Sequence, residues 1–143
     1  MTTREAFVAE VLSWEGTPFR WQQSIKGVGC DCLGLLEGAA RNIGMPEADS
    51  PALRSKDYGG RVPVERLLAG LREALEPADP YVAGNAWLMR FKGRPQHLGV
   101  FTGEYVVHAC LGAKKPQVLK TPAAVAARWW PIHSAWRFPS LED

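Results

Sequence analysis

The hydrophobic pattern of this chain changes period once, and that change limits the fold more than any other feature. Up to about Glu76 apolar residues recur at helical spacing, and from about Val82 they gather in short strand-like runs. Helices first and strands afterwards predict an α+β fold, with an N-terminal helical half and a central antiparallel β-sheet, rather than an alternating βαβ fold. The first helix is expected to open at Thr2 with Glu5 completing a capping box, to present Phe7, Val8, Val11, Leu12 and Trp14, and to stop at Gly16-Thr17-Pro18. A second helix carries Leu33, Leu35, Leu36, Ala39, Ala40 and Ile43 between Asp31 as N-cap and Gly44 as stop. It is apolar almost all round, the mark of a central buried helix. Met45 to Gly60, with Pro46, Pro51 and Gly59-Gly60, reads as an irregular loop. Pro63 then opens a third helix with Val64, Leu67, Leu68, Leu71 and Leu75 on its face. The strand half begins after Pro77 and Pro80. Strands are predicted from Ala86 to Phe91, from His97 to Phe101 and, past a tight turn at Thr102-Gly103-Glu104, from Tyr105 to Cys110. Two more are expected around Gln117 to Lys120 and Ile132 to Phe138.

With 143 residues, 46% hydrophobic and 22% charged, the chain can bury one core, so residues 1–143 are read as one domain. The net charge of +2, with Lys114-Lys115 the only adjacent lysines, argues against nucleic-acid binding. No apolar run approaches the ~20 residues of a bilayer span, so no membrane insertion is expected. Three cysteines, an odd number, do not make a disulfide framework. Met1 to Val11 carries Arg4, Glu5 and Glu10 and is no signal peptide, so synthesis in the cytoplasm without an export address is expected.

The chemistry concentrates in Gly29-Cys30-Asp31-Cys32-Leu33-Gly34-Leu35. A glycine-containing loop delivers Cys32 to the first turn of the buried helix, where free N–H groups and the helix dipole favour thiolate over thiol. The same N–H groups can hold an oxyanion. The competing reading is a small buried apolar residue, which is what most free cysteines are. A cysteine nucleophile needs a base and an orienting group. His97 and His108 flank the turn at Thr102-Gly103-Glu104, and a hairpin there sets them close, one as base and the other as orienter. Each alone is as readily a satisfied strand histidine. His133 follows Pro131 in an expected loop and receives no role.

Four segments, Gly16-Thr17-Pro18-Phe19-Arg20-Trp21, Asp31-Cys32-Leu33-Gly34-Leu35, His97-Leu98-Gly99-Val100-Phe101 and Val107-His108-Ala109, resemble the NlpC family of papain-like cell-wall cysteine peptidases. The resemblance implies Cys32 as nucleophile, His97 as general base and acid, and His108 as third polar member, with no cofactor. It places Phe19, Arg20, Trp21, Asp31 and Leu33 around the substrate and oxyanion site, Asp31 as helix N-cap rather than catalytic carboxylate. The implied substrate is the peptide stems of peptidoglycan. Arg20, Arg90, Lys92 and Arg94 are the cations nearest the site in sequence, available to a stem carboxylate. Leu33 where serine is commoner, with the closing Ala135-Trp136-Arg137-Phe138, resembles the small branch found with phage tails and gene transfer agents. That branch implies partners at a phage-like tail tip or baseplate and a place in the virion or particle. Two departures stand out: Phe19 replaces the usual tyrosine, and Gly84-Asn85 replaces a common Gly-Asp pair.

Two other readings stay open. Cys30, Cys32, His108 and Cys110 offer zinc ligands, although each pair has one intervening residue where structural zinc sites leave at least two. Alternatively the domain is a weak or inactive tail component docking through a tryptophan-rich surface that includes Trp129, Trp130 and Trp136.

Overall fold

The computed structural model describes residues 1–54 and 63–142. Helix α1 (Arg4–Leu12) is capped by Thr3, whose hydroxyl accepts from the Ala6 N–H at 3.0 Å. The expected cap, Thr2, is drawn off instead into a parallel bridge with Leu141, and Glu5 is simply a first-turn acid. Phe7 and Val11 of α1 and the following Trp14 are buried. Helix α2 (Cys32–Asn42) begins at its Asp31 cap and ends before Gly44, which supplies the left-handed φ of 74° that closes it. It buries Leu33, Leu35, Leu36, Ala39 and Ala40, as its all-round apolarity predicts. Helix α3 (Val64–Ala74) follows Pro63 and buries Leu67 and Leu71. The expected loop after Met45 contains two 3-10 turns, Pro46–Asp49 and Pro51–Leu53, each opened by a proline. Gly59-Gly60 lies outside the described residues.

A short hairpin, β1 (Ser24–Ile25) and β2 (Gly29–Cys30), precedes α2 and brings the chain onto its N-terminus. The main sheet comprises β3 (Glu76–Pro77), β4 (Ala86–Phe91), β5 (Arg94–Phe101), β6 (Tyr105–Cys110), β7 (Gln117–Pro122) and β8 (Ile132–Arg137). Its order is β3-β8-β4-β5-β6-β7, antiparallel throughout. The sheet starts at Glu76–Pro77, before the position the prolines suggested, because a two-residue edge strand tolerates a proline. Strand β5 starts at Arg94 rather than His97, with the register shift between Met89 and Arg90 on its partner accommodating Pro95. Helix α4 (Ala123–Trp129) crosses between β7 and β8, unforeseen in an alanine-rich stretch without a capping side chain. His133 lies in β8, not in a loop.

Alternation divides the sheet's side chains between two faces. Leu98, Val100, Val107 and Ala109 pack with Phe7, Leu35, Leu36 and Phe138 beneath the three larger helices. Trp87, Met89, Phe101 and Val106 face the other way, against Ala126 of α4. The histidines share that second face: His97 lies in line with Gly99 and Phe101, and His108 with Val106 and Cys110. No helix among the described residues is long and apolar enough to cross a membrane.

Candidate active site

The local fold around Cys32 follows from one buried carboxylate. Asp31 accepts from the Gly34 N–H at 2.7 Å, capping α2, and from the Gln22 N–H at 2.8 Å, tying the entry loop to the same helix. Gln22 is thereby held at a left-handed φ of 61°. Burial pushes the Asp31 carboxyl up to about 6 against these stabilising N–H groups. Gly34 makes the approach possible, since a Cβ there would lie 2.0 Å from the Gln23 carbonyl oxygen. Cys32 thus occupies the first position of α2, where the free amides of the first turn gather.

The histidines meet across the sheet by diagonals. His108 stands opposite Gly99, not His97. Because Gly99 has no side chain, the His97 ring reaches across and its Nε2 lies 2.8 Å from His108 Nδ1. His108 Nε2 lies 2.9 Å from Thr121 Oγ1, again diagonal, since Leu119 is opposite His108. Trp130 packs over both rings, its centroid 5.7 Å from His97 and 4.9 Å from His108. Burial, then the neighbouring His108, push His97 down to about 3, and burial pushes His108 down to about 4. Both rings are therefore neutral at neutral pH, and His97 can accept a proton.

Cys32 and His97 open on one cleft of about 240 Å³, lined also by Phe19, Trp21, Phe91 and Trp130. The Cys32 thiol donates to the Gln96 carbonyl at 3.8 Å, which brings the sulfur beside the residue preceding His97. Phe19 and Trp21 meet edge to face at 5.0 Å, so the phenylalanine retains the wall without the hydroxyl. Asp31, Leu33 and Arg20 lie outside the lining: Asp31 caps, Leu33 is core, and the Arg20 side chain lies across Gly29. Arg90 and Arg94 also stand outside, whereas Lys92 lines the cleft. Thr121 and Trp130 belong to the site and were missed, because a diagonal register and the turn after α4 leave no periodic trace.

The zinc set does not assemble. Cys30 is fully buried and pushed up to about 12 by burial, and both His108 nitrogens face other side chains. Among the described residues no three His, Cys, Asp or Glu side chains are grouped to hold a metal. The three tryptophans proposed for docking also separate. Trp136 is core, Trp130 covers the histidines, and Trp129 alone stands exposed, at 72%. Gly84, at φ 95°, turns the chain into β4, and Asn85 binds Arg4 and the Asp79 carbonyl.

No protein-family model and no curated protein matches the chain. Solved structures do. The NlpC/p60 domain of the peptidoglycan hydrolase SagA aligns with a TM-score of 0.62 at 17% identity, covering 96% of this chain and 100% of that one. NlpC2 from Trichomonas vaginalis gives 0.63 at 16% identity, over 96% of this chain and 48% of that one. A Staphylococcus aureus protein of the NLP/P60 family, described as similar to lipoprotein, gives 0.57 at 15%, over 98% and 42%. The chain thus spans the whole SagA domain and about half of the other two, and it shares their fold.

Proposed function

We propose that this chain is an NlpC-type cysteine peptidase that hydrolyses an amide bond in the peptide stems of peptidoglycan. The observation that carries the reading is the convergence on one cleft of Cys32, at a helix N-terminus, and of His97, which is backed by His108 and Thr121. Tautomers follow from the roles. For His97 Nδ1 to take the thiol proton, its Nε2 must carry hydrogen and donate to His108 Nδ1. His108 then carries hydrogen on Nε2 and donates to the Thr121 hydroxyl, so each neutral ring orients the one before it.

In this mechanism Cys32 Sγ attacks the carbonyl carbon while its proton passes to His97. N–H groups of the first turn of α2 hold the oxyanion. His97 returns the proton to the leaving amine as the C–N bond breaks, leaving a thioester. Water, giving a proton to His97, attacks the thioester, and the sulfur leaves with a proton regained. The finer assignment, to a component of phage-like tails that reaches the wall on a particle, is supported by Leu33 and the closing Ala135-Trp136-Arg137-Phe138. Digestion of purified peptidoglycan, with products read by mass spectrometry, tests the reading. New amino termini with wild type and none with Cys32→Ala are expected. No release from walls of several chemistries would overturn it.

A further inference from the structure

The β4–β5 hairpin turns through Lys92 and Gly93, at φ 52° and 79°. Two successive left-handed residues make a tight turn of the kind that favours Asn-Gly or Gly-Gly. A lysine at the first position costs about 1 kcal/mol relative to glycine. The turn places that lysine at the cleft. Its Nζ lies 5.7 Å from the centroid of the Phe91 ring, another lining residue, and the cleft continues along Leu111, Cys110 and the aromatic pair Phe19 and Trp21. Among the described residues lining the cleft, Lys92 is the one cation, and no carboxylate accompanies it. Gln96, His97 and Cys32 supply further polarity. An aromatic cleft with one ammonium at its rim attracts a ligand that is apolar in its body and anionic at one end.

We infer that Lys92 is a specificity residue, selecting peptides that carry a free carboxylate over those in which that carboxylate is amidated. The inference rests on the proposed peptidase reading and names the chemistry its substrate must show. Arg20, Arg90 and Arg94 stand outside the cleft lining, so the selection falls to Lys92 rather than to the basic residues as a group.

The test uses two synthetic tripeptides, alanyl-γ-glutamyl-lysine with the glutamyl α-carboxyl free or as carboxamide. Their protection of Cys32 against iodoacetamide reports binding without requiring turnover. Wild type should be half-protected by the carboxylate form at a concentration roughly five- to tenfold lower than by the amide. Raising NaCl should shrink that ratio, because an exposed pair is screened. Lys92→Met should bring the ratio close to one, and Lys92→Arg should keep it. Both variants have the same backbone demand at φ 52°, and circular dichroism checks their folding. A preference that survives in Lys92→Met, equal protection of wild type by both peptides, or no protection by either overturns the inference. Preferential protection without cleavage leaves the inference standing and removes the hydrolase reading instead.

Discussion

Gly99 makes the histidine pair possible, and replacing it by alanine should break the pair from a distance. A Cβ at Gly99 would lie 2.7 Å from Val106 Cγ1 and 3.1 Å from both His108 Cβ and the Val107 carbonyl oxygen. Val106 and His108 are fully buried, so neither can move into solvent to relieve the contact. Overpacking of this kind costs about 1–3 kcal/mol, and the gain from replacing a strand glycine offsets about 0.5–1 of it. The expected net loss is about 1–2 kcal/mol, a fall of roughly 0.5–1 M in the urea midpoint. Function should suffer more. Pushing His108 outward opens the 2.8 Å contact with His97, and a misplacement of about 1 Å near the reacting groups costs on the order of 100-fold in rate. Urea unfolding followed by tryptophan fluorescence, together with release of amino termini from peptidoglycan, measures both. A Gly99→Ala protein with unchanged midpoint and unchanged turnover would refute the account of the histidine contact.

Three further outcomes follow from the same geometry. Asp31→Ala strands the Gly34 and Gln22 amides and should cost about 2–3 kcal/mol by thermal unfolding, with Asp31→Asn, which keeps one accepting oxygen, losing less. Acid should destabilise the fold from about pH 6.5 down to about 4, because the unfolded chain protonates near the ordinary histidine value while His97 and His108, at about 3 and 4, do not. Asp31, raised to about 6, opposes this over part of the window, so a flat or rising urea midpoint in wild type matched by one in His108→Phe would show that the histidines are not the cause. Finally, burial pushes Cys30 to about 12 and raises Cys110, so iodoacetamide near neutral pH should add one label per chain, at Cys32; mass spectrometry finding a second at comparable rate contradicts this.

Local chemistry was legible in the sequence and register was not. The Asp31 cap, the Cys32 position and the Gly44 stop depend on a few consecutive residues, and each stands as the residues indicate. The pairing of His97 with His108 was accessible because a short turn separates their strands. Thr121 and Trp130 reach the same chemistry through a third strand and a helix of seven residues, so no local pattern announces them. Hairpin β1–β2 escaped for a simpler reason: two residues per strand cannot show alternation. Among the cations, nearness in sequence offered four candidates, and only the hairpin geometry separates Lys92 from the rest.

The contact between Cys32 and Gln96 spans 64 positions along the chain. A nascent polypeptide that has emerged only through α3 therefore holds a thiol with no imidazole to serve it. The same separation ties the proposed chemistry to the docking of helical and strand halves, because each half supplies one partner and neither supplies both. In refolding, thiol reactivity that depends on His97 should return with the slow closure of this long loop rather than with early helix formation. The long-range contact makes the meeting of Cys32 with strand β5 a late event, out of reach until the strand half has been made.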